Sequence, residues 1–350
     1  MKNRSRSKHH RFAPLLLAAA FVLVGLAPSV AAAQSAEKLT RYLPSSSQLV
    51  VGLNVSKLSQ SKYYKEALAW ARANSGSDQE FLEVLEKDAK LDLTKDLDAI
   101  ALSVPDTQVD SSKPQRNFTV AVSGSFDNDK LLAAIKKENK ELKSTKKGKA
   151  TVYSSGEFEF TFPKKGVLWV TAGPDAYRKG AFKALGGGKH SVQANKVFKK
   201  LMGEVNTSQG FWMMGDTSTM QTQQTAGSPQ PKSIAVSADI AKGLALELLA
   251  DMPSEADAKS AVEQMKALKQ QGGQAAMLSI LGAGPLVANL TTKQDGTKLR
   301  ATTTMTATEF DTMVQRIKQL AQSQMQGGGM PAQPVPNKKN KSGGANADFN

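Results

Sequence analysis

The sequence predicts an α+β fold built as two diverged repeats of mixed or antiparallel sheet, with helices packed on one face. Three observations carry that expectation. Short β-branched apolar runs alternate with stretches of helical periodicity along the chain. A late segment, "LVANLTTKQDGTKLRATTTM", has the pattern of a hairpin with Asp295-Gly296 at its turn, and hairpins join antiparallel neighbours. The order of elements also starts over near residue 166, with matching elements spaced by about 110 to 130 residues.

Taken in order, "QLVVGLNV" (48–55) reads as a buried strand. Next, "SKYYKEALAWARA" sets Tyr64, Ala67, Leu68 and Ala71 on one helical face, and a second helical pattern runs through Phe81, Leu82, Leu85 and Ala89. In "LDLTKDLDAIALSV" Asp92 or Thr94 caps a short turn, Asp96 and Asp98 face water, and "AIALSV" is a strand. Its alternating oxygens do not make an EF-hand, because Leu97 stands where the loop needs glycine and Ser103 where it needs a bidentate glutamate. The strand "FTVAVSGSF" leads into a helix capped by Asp127 that aligns Leu131, Leu132, Ile135 and Leu142. "ATVYSSG" and "EFEFTF" alternate as strands do, with Gly156 as the turn between them.

In the second half "VLWVTAG" plays the first strand, and two helices follow it. "GFWMMGD" takes the place of "AIALSV", and "GLALELLADMPSEADAKSAVEQMKAL" the place of the strand and helix at 118–139. Ser254 with Asp257, and Thr306 with Glu309, have the spacing of capping boxes. Behind them Ala258, Ala261, Val262 and Met265, then Phe310, Met313, Val314, Ile317 and Leu320, form apolar stripes. The expected organisation is a leader at 1–33, a first repeat at 34–165, a second at 166–325 with a mobile loop at 217–233, and a disordered tail at 326–350.

The leader has the layout of a secretory signal: Lys2, Arg4, Arg6, Lys8 and Arg11, an apolar run from Phe12 to Ala27, then Ala31-Ala32-Ala33 before Gln34. About sixteen apolar residues interrupted by prolines are short for a bilayer of roughly 30 Å, so cleavage before Gln34 is expected rather than anchoring. The chain is then a soluble periplasmic or secreted protein with no membrane span after cleavage. The whole sequence carries 46 basic and 31 acidic residues; without the five leader cations 41 face 31, a net charge of +10. A positive exported protein favours acidic partners such as a phosphorylated envelope polymer.

Cysteine is absent, which removes disulfides, thiolate metal sites and thiol nucleophiles. One histidine, His190, follows the leader, too few for a histidine metal site, and no Gly-x-Ser-x-Gly elbow occurs. "ALGGGKHS" is not a phosphate loop: Lys183 stands where the first glycine belongs, His190 where Ser or Thr belongs, and the preceding segment is helical. "FWMM" cannot gather its thioethers on one ion, because adjacent strand positions face opposite ways. No cofactor is expected. Paired carboxylates acting on glycans remain an alternative chemistry, requiring two carboxyls roughly 5 to 10 Å apart.

The remaining candidate is a lysine run, "KKENKELKSTKKGK", at the end of a helix and the turn after it. Lys136, Lys137, Lys140, Lys143, Lys146, Lys147 and Lys149 oppose only Glu138 and Glu141. Such a run can neutralise phosphates with steep salt dependence. It lacks the aromatics that would stack bases, so specific nucleic-acid recognition is not expected.

"RYLPSSSQLVVGLNVSKLSQSKYYKEAL", "LDLTKDLDAIALSV" and "FTVAVSGSFDNDKLLAAI" resemble a recurrent type of uncharacterised exported bacterial protein. That type opens on Leu-Pro and a strand and carries Leu-Asp-x-x-x-Asp-Leu before the next strand. The resemblance covers the first third. It implies an envelope setting and a repeated α+β fold, and transfers no catalytic residue. The expected function is non-enzymatic binding or support of an envelope assembly, through a protein partner or an anionic polymer.

Overall fold

A computed structural model describes residues 34–74, 85–92, 95–105, 117–156, 158–218, 230–270 and 281–325. The leader, most of the expected loop at 217–233 and the tail lie outside those residues, as do Phe81, Leu82 and Thr94.

Twelve strands form one sheet: β1 (Leu49–Leu53), β2 (Leu97–Val104), β3 (Phe118–Gly124), β4 (Lys143–Lys147), β5 (Ala150–Ser155), β6 (Phe158–Lys164), β7 (Val167–Ala172), β8 (Phe211–Asp216), β9 (Ser233–Asp239), β10 (Leu244–Asp251), β11 (Thr291–Asp295) and β12 (Lys298–Met305). Their spatial order is β11-β12-β10-β9-β8-β1-β2-β3-β7-β6-β5-β4, and every pairing is antiparallel. The helices are α1 (Ala36–Leu39), α2 (Val55–Leu58), α3 (Lys62–Asn74), α4 (Asn128–Glu138), α5 (Asp175–Ala184), α6 (Lys196–Glu204), α7 (Glu255–Gln270), α8 (Gly284–Ala288) and α9 (Ala307–Met325). The fold is α+β.

The order mirrors itself about the β1/β8 pair. Outward from β1 come β2 and β3, and the chain then leaves through α4 and returns so that β7 pairs with β3. Outward from β8 come β9 and β10, and the chain leaves through α7 and returns so that β12 pairs with β10. The element matching expected from sequence therefore differs from the strand pairing. "GFWMMGD" is β8, opposite β1 and not in the place of β2, and "VLWVTAG" is β7, a hairpin partner of β6 across the expected 165/166 boundary. An apolar run of six residues says that a strand is buried; it does not say which neighbour buries it.

Helices cover both faces of the sheet, not the one face expected. Ile100, Phe118, Val120, Val122, Phe160 and Val170 pack on one side beneath α3 and α4. The alternating positions Ala99, Ala101, Ala121, Trp169, Trp212 and Met214 pack on the other, beneath the N-terminal segment, α5 and α6. Small residues in β2 and β3 on this second side leave room for the two tryptophans, which are fully buried. Each such side chain removes enough apolar area to contribute about 4 to 6 kcal/mol before conformational entropy is set against it. Gly52 is required at the seam, since a Cβ there would lie 2.0 Å from the Trp212 ring.

Several local expectations hold. Asp127 caps α4 by accepting from Asp129 N and Lys130 N at 2.9 and 3.2 Å. Ser254 Oγ accepts from Asp257 N at 3.1 Å, and Thr306 N donates to Glu309 Oε2 at 2.8 Å, so both capping boxes close at one side at least. Gly187, at φ 65°, ends the helix before it, with its N–H on Ala184 O at 2.8 Å. The last stripe holds only in part: Phe310 is buried, while Ile317 and Leu320 on α9 are 48% and 42% exposed.

Candidate anion-binding surface

The lysine run does not end in a turn. "KSTKK" is β4, the outermost strand on its side of the sheet, paired only to β5. Its charges leave it without apolar alternation, which is why it did not read as a strand. Lysine along an outer strand is also a device against edge-to-edge association. Alternation splits the run: Lys143 and Lys147 share one face with Thr145, and Lys146 points to the other with Ser144.

The seven lysines fall into two sets. Lys137 Nζ meets Asp88 at 2.8 Å, and Lys147 Nζ meets Glu159 at 2.8 Å while lying 5.3 Å from the Phe182 ring centre on α5. Glu159, only 13% exposed at its side chain, is also 3.8 Å from Arg178. These two lysines are structural. Lys136, Lys140, Lys143, Lys146 and Lys149 are exposed and have no carboxylate partner among the described residues. Lys136 makes one further contact, over the Tyr153 ring at 5.7 Å. Five cations at one rim of the sheet are thus open to an external anion.

A second positive region was not visible in the sequence. Lys38 in α1, Arg41 just after it, Lys164 at the end of β6, Gln34 and Gln193 line a cleft of about 300 Å³. Residues 34, 41, 164 and 193 are brought together only by the sheet. Trp169 Nε1 donates to Tyr42 O at 2.9 Å, Val192 N donates to Leu43 O at 2.9 Å, and Ala36 N donates to the buried Asn54 Oδ1 at 2.9 Å. Each bond fastens the N-terminal segment across the core.

No family profile matches the chain, and no curated protein matches it. Solved structures of TP0453 are similar in chain path. Crystal form III superposes with a TM-score of 0.45 at 12% identity over 79% of this chain and 97% of that one; form IV gives 0.45 at 13% over 81% and 97%. No functional conclusion follows from a likeness of that degree.

Another cleft, of about 360 Å³, lies between α6 and the strands β10, β12 and β11. It is rich in charge of both signs, and three of its four cations are paired, Lys293 being the exception among the described residues. Lys200 meets Asp251 at 2.5 Å, Lys298 meets Glu204 at 2.7 Å, and Arg300 meets Glu247. Burial opposes ionisation of Asp251, yet the Lys200 ammonium and the Thr297 hydroxyl outweigh it and hold its carboxyl below the usual range.

The remaining groups argue little for acid–base chemistry. Tyr177 lies against Thr119 Oγ1 at 2.9 Å, and burial pushes its hydroxyl up to about 12, which makes it a neutral donor and no base. Asp98, expected to face water, is 9% exposed. Burial pushes its carboxyl up, partly offset by the N–H of Gln34, and among the described residues the charge of no second carboxylate reaches it. Asp96 accepts from Asp92 N at 2.7 Å, and Asp92 pairs with Lys95 at 3.1 Å, so that stretch is used locally. Among the described residues no group of three or more His, Asp or Glu converges as metal ligands would, His190 is exposed, and no helix is long and apolar enough to cross a membrane.

Proposed function

We propose that this chain is an exported cell-envelope protein, released from its leader into the periplasm or the medium, whose role is binding and not catalysis. Its partner is an anionic envelope polymer, a repeating phosphate or carboxylate chain, engaged through the cationic rim at β4. The observation that carries this reading is the division of the lysine run. Two lysines already have carboxylates, and five exposed ones do not. Unpaired surface cations release counterions when they meet a polyanion, and that is the main driving term in such binding.

The cleft at Lys38, Arg41 and Lys164 extends the same chemistry to the other side of the sheet. The mirrored strand order supports a further reading, that the chain consists of two diverged repeats with β1 and β8 as their first strands. The lysine rim belongs to one half only.

The test is retention of the exported protein on immobilised poly(glycerol phosphate) and on neutral dextran. Retention on the first and passage through the second is expected. Equal behaviour on both, or saturable turnover of an envelope glycan by the purified protein, overturns the proposal.

A further inference from the structure

Asp98 is a carboxylate without a cation. It sits at the start of β2, 9% exposed, where the sheet has a register irregularity between Leu97 and Ala99. It has no ion-pair partner among the described residues, and its polar neighbour is the backbone nitrogen of Gln34. The Gln34 carbonyl is held in turn by Ser123 Oγ at 3.3 Å. The next residues are fixed by Asn54 and by Thr207, whose Oγ1 donates to Glu37 Oε2 at 2.7 Å. A buried carboxylate opposite one neutral N–H is poorly compensated.

The sequence places signal cleavage between Ala33 and Gln34. In that hydrolysis water supplies a hydroxyl to the Ala33 carbonyl carbon and a proton to the Gln34 nitrogen, which takes a second proton from solvent. The amide N–H beside Asp98 becomes an ammonium, on the same atom in the same place. We infer that the amino terminus made by export processing is the missing partner of Asp98, and that the ion pair Gln34 α-ammonium to Asp98 locks the N-terminal segment onto the sheet after cleavage. The inference rests on the export and cleavage reading above. Lys38, Arg41 and Lys164 line the cleft that Gln34 also lines, and their charge opposes a further cation there.

The consequence is directional. The precursor has the hydrogen bond without the charge, so its N-terminal segment is held less firmly than that of the processed chain. Docking of residues 34–43 also covers Trp169 and closes one core cluster, so processing and final packing are coupled.

The experiment uses the full chain expressed with its own leader and recovered from the envelope fraction. Mass spectrometry of the N-terminal peptide reads the cleavage point, expected to be a free amine on Gln34. Asp98→Asn is then compared in two backgrounds, the natural one and one with Ala-Ser inserted between Ala33 and Gln34, which moves the ammonium away while keeping the cleavage motif. Loss of the carboxylate is expected to lower the folded-to-unfolded ratio at least about tenfold in the natural background and less than about threefold in the extended one. Should the Asp98 variant fail to fold, acylation of the α-amine at neutral pH in the unsubstituted protein gives a second readout. It is expected to be at least about tenfold slower in the folded than in the unfolded chain, with the Ala-Ser insertion restoring the faster rate. An N-terminal peptide beginning elsewhere overturns the inference together with the cleavage reading. Cleavage at Gln34 with equal losses in both backgrounds, with a cyclised N-terminus, or with unprotected acylation overturns the ion pair alone.

Discussion

The rim at β4 and the cleft beneath α6 are both dense in lysine, yet they are built in opposite ways. Beneath α6, Lys200, Lys298 and Arg300 each meet a carboxylate, and the Asp251 carboxyl is held ionised by its partners. At the rim, Lys136, Lys140, Lys143, Lys146 and Lys149 meet none among the described residues. Counting cations would call both basic. What separates them is how much of the charge has already been used within the fold: beneath α6 three of the four lining cations meet carboxylates and Lys293 has none among the described residues, whereas the rim has five cations left for an outside partner.

The largest effect should come from reversing the five free lysines to glutamate together, which keeps β4 charged and so protected from edge pairing. Binding to poly(glycerol phosphate) at about 50 mM salt should fall by roughly 100-fold or more, with the thermal midpoint little changed. Titration followed by calorimetry and a melting curve check both halves of that expectation.

In the cleft beneath α6 the pattern should invert. Lys200→Met with Lys298→Met leaves Asp251 and Glu204 without their lysine partners and should lower the thermal midpoint, while polymer affinity changes less than about twofold. Acid sensitivity follows from the same groups. Because the Asp251 carboxyl is held below its unfolded value, its contribution is present above about pH 4 and is lost as pH falls through the folded value. Asp251→Asn should flatten the decline in the midpoint between about pH 4 and pH 2.

The smallest effect sharpens the division inside the rim itself. Lys147→Ala removes one partner of the largely buried Glu159 but leaves Arg178 beside it. A loss of about 1 kcal/mol or less in denaturant unfolding is expected, with polymer affinity changed less than about twofold. A large loss of affinity would place Lys147 with the free set.

Much of the fold was legible because its signals are local. Asp127, Ser254 and Thr306 each stand one residue before a helix and act on atoms two or three residues on. The hairpin at Asp295-Gly296 is equally short-range, with Gly296 at φ 56°. What was not legible depends on partners far away in sequence. β7 looks like a first strand because Val167, Trp169 and Val170 are buried, but its position beside β3 is set by the return of the chain after α4. Asp98 looked like a solvated acid beside Asp96, and only the N-terminal segment lying over it makes it buried. The lysine run showed its charge but not its pairing, since Asp88 and Glu159 come from other elements. For the same reason Lys38, Arg41 and Lys164 could not be seen as neighbours.

The most direct test of the division between free and paired cations is the salt dependence of polymer binding. For the natural protein, the logarithm of affinity for poly(glycerol phosphate) should fall against the logarithm of salt concentration with a slope of roughly −3 to −4, as five released counterions require. The five-lysine variant should bring that slope close to zero, and the Lys200 and Lys298 variant should leave it unchanged. A slope near zero for the natural protein, or one that the five substitutions do not alter, would contradict the assignment of binding to the β4 rim.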